Sequence, residues 1–368
     1  MPSDASPSTE HQPAPLSVSS TLARLAGIGA VILCVVGGFL YVGGWFSPHE
    51  LTPAQLVNGL QEVFGIHSGF RRNHAKGMCI TGYFDSNGAG ARLSKAEVFK
   101  SGRVPVVGRF SLPGGNPYVS DTPASVRGMG LDFTPANGEE WRTAMVDLPV
   151  FVVRTAQGFY DQLLAGKPDP ATGKPDPGKL KAFFADHPES AKAVTIIKSK
   201  PFSSGFDNAT FNSLNAFRFI NAAGTSRPVR WSFVPVDPFK PEDPTQSATT
   251  DKNYLFDDFI ARTHSRPVQW HLVLTVGQPG DPTDDATLPW PEHREHVDAG
   301  TLTIDQVEAE APGNCRDINF DPLVLPVGIA PSNDPLLSPR SAVYSQSFTR
   351  RAGEKKEPSA ITPSEVQK

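Results

Sequence analysis

RRNHAKGMCITGYF (71–84) joins two kinds of sequence, a short basic stretch around His74 and a strand-like run from Met78 to Phe84. Runs of the second kind recur outward from it: VPVVGRFSL (104–112), VRGMGLDFT (126–134), LPVFVV (148–153), NAFRFI (215–220), VRWSFVPV (229–236) and VQWHLVLTV (268–276). Apolar and polar residues alternate through them, and Gly, Pro and Asn punctuate them, as half-buried strands require. With 36 prolines and 32 glycines the chain is rich in turns. Seven or eight such strands with few intervening helices predict an antiparallel barrel of the α+β class.

Helices are expected at 155–165, 178–186 and 254–263. LTPAQLVNGLQEVFG (51–65) reads as an amphipathic helix with Leu56, Leu60, Val63 and Phe64 on one side. A later helix is bounded by Ser338 as N-cap, Pro339 in the first turn and Gly353 at the end.

The chain of 368 residues has room for one large domain. Residues 1–21, rich in Ser, Pro and Ala, read as a disordered tail. Residues 22–46 read as a transmembrane anchor. LAGIGAVILCVVGGFLYVGGWF (25–46) is uncharged and long enough for a ~30 Å hydrocarbon core, and Tyr41 and Trp45 lie near its far end. A cleaved signal peptide is the alternative, but its apolar region is shorter and WFSPHE (45–50) is a poor cleavage site. Arg24 favours an internal N-terminus, which puts the main domain on the periplasmic or extracytoplasmic side of a single-pass protein. Residues 47–353 form that domain, and 354–368 read as a disordered, charged tail.

The net charge is −4 and no basic block could neutralise a run of phosphates, which excludes a nucleic-acid partner. GxGxxG after a strand, GxxxxGK[ST], HExxH and GxSxG are absent. HREH (293–296) offers two histidines without a third ligand. DPTDD (281–285) reads as an exposed acidic loop, and PDPATGKPDPGK (168–179) as a turn-rich one. Cys79 and Cys315 are free to pair, although two cysteines make no framework.

On the last helix Arg340 and Tyr344 stand at i and i+4, on one face. A guanidinium there favours the phenolate over a phenol that titrates near pH ~10, and a phenolate is an axial iron ligand. Alone, the pair is a weak signal, as is His74 among nine histidines. RFS (109–111) ends a strand, and DLPVFVVRTAQGFY (147–160) sets Phe151 and Phe159 in apolar surroundings.

Taken together and in order, RRNHAKGMCITGYF, VPVVGRFS, SVRGMGLDF, LPVFVV and NFDPLVLPVGIAPSNDPLLSPRSAVY (319–344) resemble the haem catalase family. The chain has no room for the C-terminal helical region of full catalases, so it is more similar to the small catalase-related peroxidase branch. The resemblance implies a catalase-type antiparallel eight-stranded β-barrel with flanking helices, and a haem b cofactor whose iron Tyr344 binds beside Arg340. His74 would be the distal acid–base group, oriented by Ser111. Arg71, Arg109 and Arg351 would bind the haem propionates, with Arg72 as the alternative to Arg71. Phe159 would stack on the distal face and Phe151 line the pocket, while Arg127 and Gly128 match a structural step.

Three positions depart from full catalases. Val146, next to Met145, replaces a distal asparagine; Ser125 replaces an aspartate of the access channel; Asn73 replaces an apolar residue before the distal histidine. The resemblance so qualified implies a peroxidase that reduces hydrogen peroxide or organic hydroperoxides with an organic electron donor, and dismutates peroxide weakly. Two alternatives stay open: a haem isomerase of lipid hydroperoxides, and a haem-binding protein without turnover. A homodimer is compatible with this reading.

Overall fold

The structure, a computed structural model, describes residues 17–42, 50–122, 125–243 and 251–367. It divides into two units, Met1–Thr52 and Pro53–Lys368.

The first unit contains one described helix, α1 (Val18–Val42), whose 25 residues are long and apolar enough to cross a membrane. At 1.5 Å per residue it extends about 37 Å. The helix starts at Val18, inside the stretch expected as tail. Residues 1–16 of that tail and 43–46 of the expected anchor lie outside the described residues.

The second unit runs α2 (Pro53–Phe64), β1 (Gly77–Ser86), β2 (Gly102–Ser111), β3 (Gly128–Phe133), β4 (Trp141–Val146), α3 (Ala156–Ala165), α4 (Pro177–Asp186) and α5 (Pro188–Lys198). It continues through β5 (Phe211–Asn212), β6 (Phe217–Ile220), β7 (Ser226–Pro235), α6 (Tyr254–Ser265), β8 (Val268–Val276), β9 (Glu295–Glu308), β10 (Ile329–Pro331), α7 (Leu337–Ala352) and α8 (Pro363–Val366). Eight strands close a ring in the order β1–β2–β3–β4–β5–β7–β8–β9 and back to β1. Every pairing in it is antiparallel. β6 and β10 extend the sheet beyond β7.

Alternation turns one face of each strand into the barrel, and large rings fill it. Phe133 stacks on Trp141 at 4.9 Å, and Phe110 lies 4.7 Å from both Phe206 and Phe259. Side chains of that size close an eight-stranded interior without a channel.

Several expectations need correction. LPVFVV (148–153) forms no strand. Its apolar residues are placed by burial, Pro149 has no N–H to give a ladder, and Phe151 N donates instead to Ala286 O at 2.8 Å. NAFRFI contributes β6, which lies outside the ring. The short β5, the run WRTAMV that makes β4, and the 14-residue β9 were not anticipated, nor was α5. On α7 the N-cap is Leu336, not Ser338, which sits inside the first turn. Asp334 receives the Leu336 N–H at 2.9 Å, and Gly353 closes the helix as expected.

The C-terminal segment is no disordered tail. Ile361 lies fully buried in the main core, and a Thr362–Glu365 capping box starts α8. Cys79 and Cys315 are joined, fastening β1 to the turn after β9, with Cα atoms 5.3 Å apart.

Candidate active site

His74 lies in the loop before β1, three residues ahead of Gly77. Its φ is 55°, a left-handed conformation that a side chain other than glycine adopts only under restraint. Asn73 supplies part of that restraint: its Oδ1 accepts the N–H of His74 at 3.0 Å and that of Gly114 at 2.8 Å. Asn73 thus ties the loop down from both sides. Register pairs Gly77 with Ser111 and Ser111 with Gly128. His74 Nδ1 lies 3.1 Å from Ser111 Oγ. A Cβ on Gly128 would stand 2.7 Å from that oxygen and 3.0 Å from Nδ1, so only glycine leaves the pair its room. Burial, with the cations Arg109, Arg340 and Arg71 nearby, pushes the His74 pKa down to about 3, so the ring is neutral at physiological pH.

Three guanidiniums gather beside it. Arg109 donates to Glu310 through Nε at 2.6 Å, and Arg71 donates to the same oxygen through Nη1 at 2.9 Å. Arg71 and Arg351 both reach Ile318 O, at 2.9 and 3.3 Å. The Glu310 carboxyl would rise on burial, but Arg109 and Arg71 outweigh this and hold it below its ordinary value. Burial lowers the Arg71 pKa well below the usual guanidinium range, with Arg109 and Arg351 adding to the effect. Arg351 is likewise lowered to about 10, first by burial. Arg72 also borders the cavity, but its Nη2 is taken by Glu354.

On α7 the Arg340 guanidinium carbon lies 5.9 Å from the Tyr344 ring centre. Asn215 Oδ1 accepts from Arg340 Nη1 at 2.5 Å, and Asp334 accepts from Asn215 Nδ2 at 2.8 Å. Phe151 and Phe159 stack nearly parallel, 6.3 Å apart at 11°.

These elements enclose one cavity of about 330 Å³. His74, Ser111, Arg71, Arg109, Phe151, Phe159, Arg340, Tyr344 and Arg351, the nine residues singled out in the sequence, all line it, as does Val146. Glu310, Asn215 and Asp334 were not anticipated. They lie far along the chain from the arginine or asparagine they hold, and nothing local marks them. The other sequence candidates are structural: Asp281 pairs with Arg294, Asp285 caps Thr287, and no described cluster of His, Cys, Asp or Glu could hold a metal ion.

The catalase family model matches residues 67–361. A catalase-related peroxidase of Synechococcus elongatus is 40% identical over 328 residues, 89% of this chain and 96% of that protein. One of Mycolicibacterium paratuberculosis is 31% identical, over 82% of this chain and 96% of its own length. In fold, a bacterial catalase superposes with a TM-score of 0.69 at 21% identity, over 83% of this chain and 63% of that one. Catalase A from Saccharomyces cerevisiae gives the same TM-score at 20% identity, over 83% and 66%.

The chain belongs to the catalase family. Within it, it stands on the small branch of catalase-related peroxidases, whose lengths it matches almost end to end.

The family's cofactor is haem, and the residues present fit one. Arg71 and Arg109 meet a single buried carboxylate, Glu310, and the buried Arg351, whose own carboxylate neighbour Asp317 is exposed, adds a third cation, which leaves a cationic excess suited to a dicarboxylate. Arg351 Nε is buried without a hydrogen-bond partner. Stacked phenylalanines offer an apolar wall to a flat ring, and Tyr344 lines the same space.

Proposed function

We propose that this catalase-family oxidoreductase, which acts on peroxide, is a haem b peroxidase that draws its electrons from an organic donor and dismutates hydrogen peroxide only weakly. Tyr344 would hold the iron through its phenolate, with Arg340 as its charge partner. Arg71, Arg109 and Arg351 would hold the propionates, and Phe159 and Phe151 would pack against the macrocycle. The haem, when bound, supplies the iron at which the peroxide O–O bond is cleaved.

His74 does the proton work. Its neutral ring, turned by the Ser111 hydroxyl, takes the proton of the peroxide and returns it to the departing oxygen. Overall, a hydroperoxide becomes an alcohol and water while the donor loses two electrons and two protons. Val146 carries the choice of reductant. It lines the cavity and can neither donate nor accept a hydrogen bond, so a second hydrogen peroxide is not steered there. The same apolar surface accommodates the alkyl group of an organic hydroperoxide.

α1 would anchor the protein in a membrane, with the catalytic domain on the periplasmic or extracytoplasmic side. Arg24 supports this orientation, and so does the Cys79–Cys315 bridge, which is at home in an oxidising compartment.

The test is an absorption spectrum of the purified protein, followed by oxygen release and donor oxidation measured on one preparation. A high-spin ferric spectrum with phenolate ligation and donor oxidation well above oxygen release are expected. Oxygen release at full-catalase rates overturns the reading. Rearrangement of an organic hydroperoxide without donor consumption replaces it with an isomerase.

A further inference from the structure

Beyond α7 the chain turns back across the loop that carries Arg71, Arg72 and His74. Ser68 Oγ donates to Lys355 O at 2.6 Å, and the Glu357 N–H donates to Ser68 O at 3.4 Å. Glu354 reaches the loop with both oxygens: Oε2 accepts the Gly69 N–H at 2.9 Å, and Oε1 takes Arg72 Nη2. The crossing is close. Gly69 has φ 76°, and a Cβ there would stand 2.8 Å from Lys356 Cα.

The same segment also binds the loop that presents Glu310. Ala311 N donates to Ser359 Oγ at 2.9 Å, and Arg316 Nη2 donates to Glu357 O at 2.7 Å. Its far end is fixed by buried Ile361 and by α8, where Glu365 accepts from Asn253 Nδ2 at 2.9 Å. The segment therefore spans the two loops whose side chains meet at the site.

Arg72 is 3% exposed, and Glu354 is its carboxylate partner among the described residues. Without Glu354 a buried guanidinium two residues from His74 would have no counter-charge, and such a group moves toward water. His74 itself sits in a strained backbone conformation that persists only while its surroundings enforce it.

We propose that the C-terminal segment is a strap that positions His74, with Glu354 as the positioning residue acting through Gly69 and Arg72. The proposal rests on His74 being the group that handles the peroxide proton.

Truncating the strap would also remove Ile361 from the core, so point variants of the full chain are the better test. Glu354→Ala and Glu354→Gln are compared with the unmodified protein in two measurements: amide hydrogen exchange over residues 67–76, and the rate of haem oxidation by hydrogen peroxide in stopped flow. Glu354→Ala is expected to speed exchange in that loop and to slow the oxidation roughly ten- to a hundredfold, as a misplaced catalytic group does. Glu354→Gln retains an acceptor for Gly69 and is expected to fall between. Unchanged exchange overturns the proposal, whatever the rate does, and so does faster exchange with an unchanged rate. A protein that takes up no haem refutes the functional reading, and the exchange measurement still decides whether Glu354 holds the loop.

Discussion

Val146 on β4 stands directly opposite Asn212 on β5, and both side chains line the cavity. The Asn212 amide is already engaged, its Nδ2 donating to Leu148 O at 2.9 Å and its Oδ1 accepting from Ser232 Oγ at 2.6 Å. An amide introduced by Val146→Asn would lack those partners and would face the cavity. Oxygen release from hydrogen peroxide should then rise about tenfold, the effect of one directed hydrogen bond of ~1–1.5 kcal/mol. An oxygen electrode read beside donor oxidation checks this. An unchanged ratio removes position 146 from the choice of reductant.

His74→Ala should keep its haem but react with peroxide ~10²–10⁴-fold more slowly. In the unmodified protein the rate should be flat between about pH 5 and 8, because the ring titrates near 3 and not at its ordinary value near 6.5. A fall in rate centred near 6.5 would show a free imidazole instead. Stability follows with a definite sign. Between pH 6.5 and about 3 the unfolded chain binds a proton that folded His74 refuses, so the folded state loses stability as pH falls. The difference in Tm between pH 7 and pH 5 should therefore be smaller in His74→Ala than in the unmodified protein.

Tyr344→Phe removes the phenol oxygen while leaving the ring beside Arg340. Haem content should drop severalfold, or the spectrum should lose its phenolate character. Identical haem content and spectrum would move the iron ligand elsewhere.

Cys315→Ser opens the bridge to Cys79. Phe320 shares a buried cluster with the two cysteines, Tyr344 packs against that cluster, and Cys315 O accepts from Arg71 at 3.1 Å. The loss should cost about 2–5 kcal/mol, visible as a lower Tm. Haem should also dissociate faster, because the turn beneath Arg71 is loosened. Thermal scans with and without a reductant should show the same gap in the unmodified protein, and coincident scans contradict the prediction.

Deleting residues 1–46 should yield a soluble, haem-loaded domain, since the compact catalytic unit begins at Pro53. Membrane association lost together with that segment supports the anchor. A mature protein that begins after Phe46 by mass spectrometry makes the segment a signal peptide instead.

The parts of the site that were legible in the sequence are those chemistry confines to short spacings. Arg340 and Tyr344 are one helical turn apart, and His74 lies three residues before the start of β1. Their partners come from far away. Arg109 meets Glu310 across 201 residues, Arg340 meets Asn215 across 125, and Arg72 meets Glu354 across 282. No local pattern marks such partners, because only the tertiary fold brings them together. β9 escaped for another reason. Its exposed positions carry Glu295, His296, Asp298 and Asp305, and register shifts in its pairings with β1 and β8 break the alternation. LPVFVV misled in the opposite sense, since an apolar run that walls a cavity has the composition of a buried strand. The C-terminal segment looked free because few apolar residues, chiefly Ile361 and Val366, hold it.

The strap also sets an order of assembly. Ser68 and Gly69 leave the ribosome early, yet their partners Lys355 and Glu354 are added 287 and 285 residues later. The loop bearing His74 therefore cannot be closed during translation. α1, long and apolar enough to cross a membrane, emerges before any of it, while the peroxide site does not yet exist. A chain halted before Glu354 would hold every residue that lines the cavity but none of the contacts by which the strap fixes the loop bearing His74.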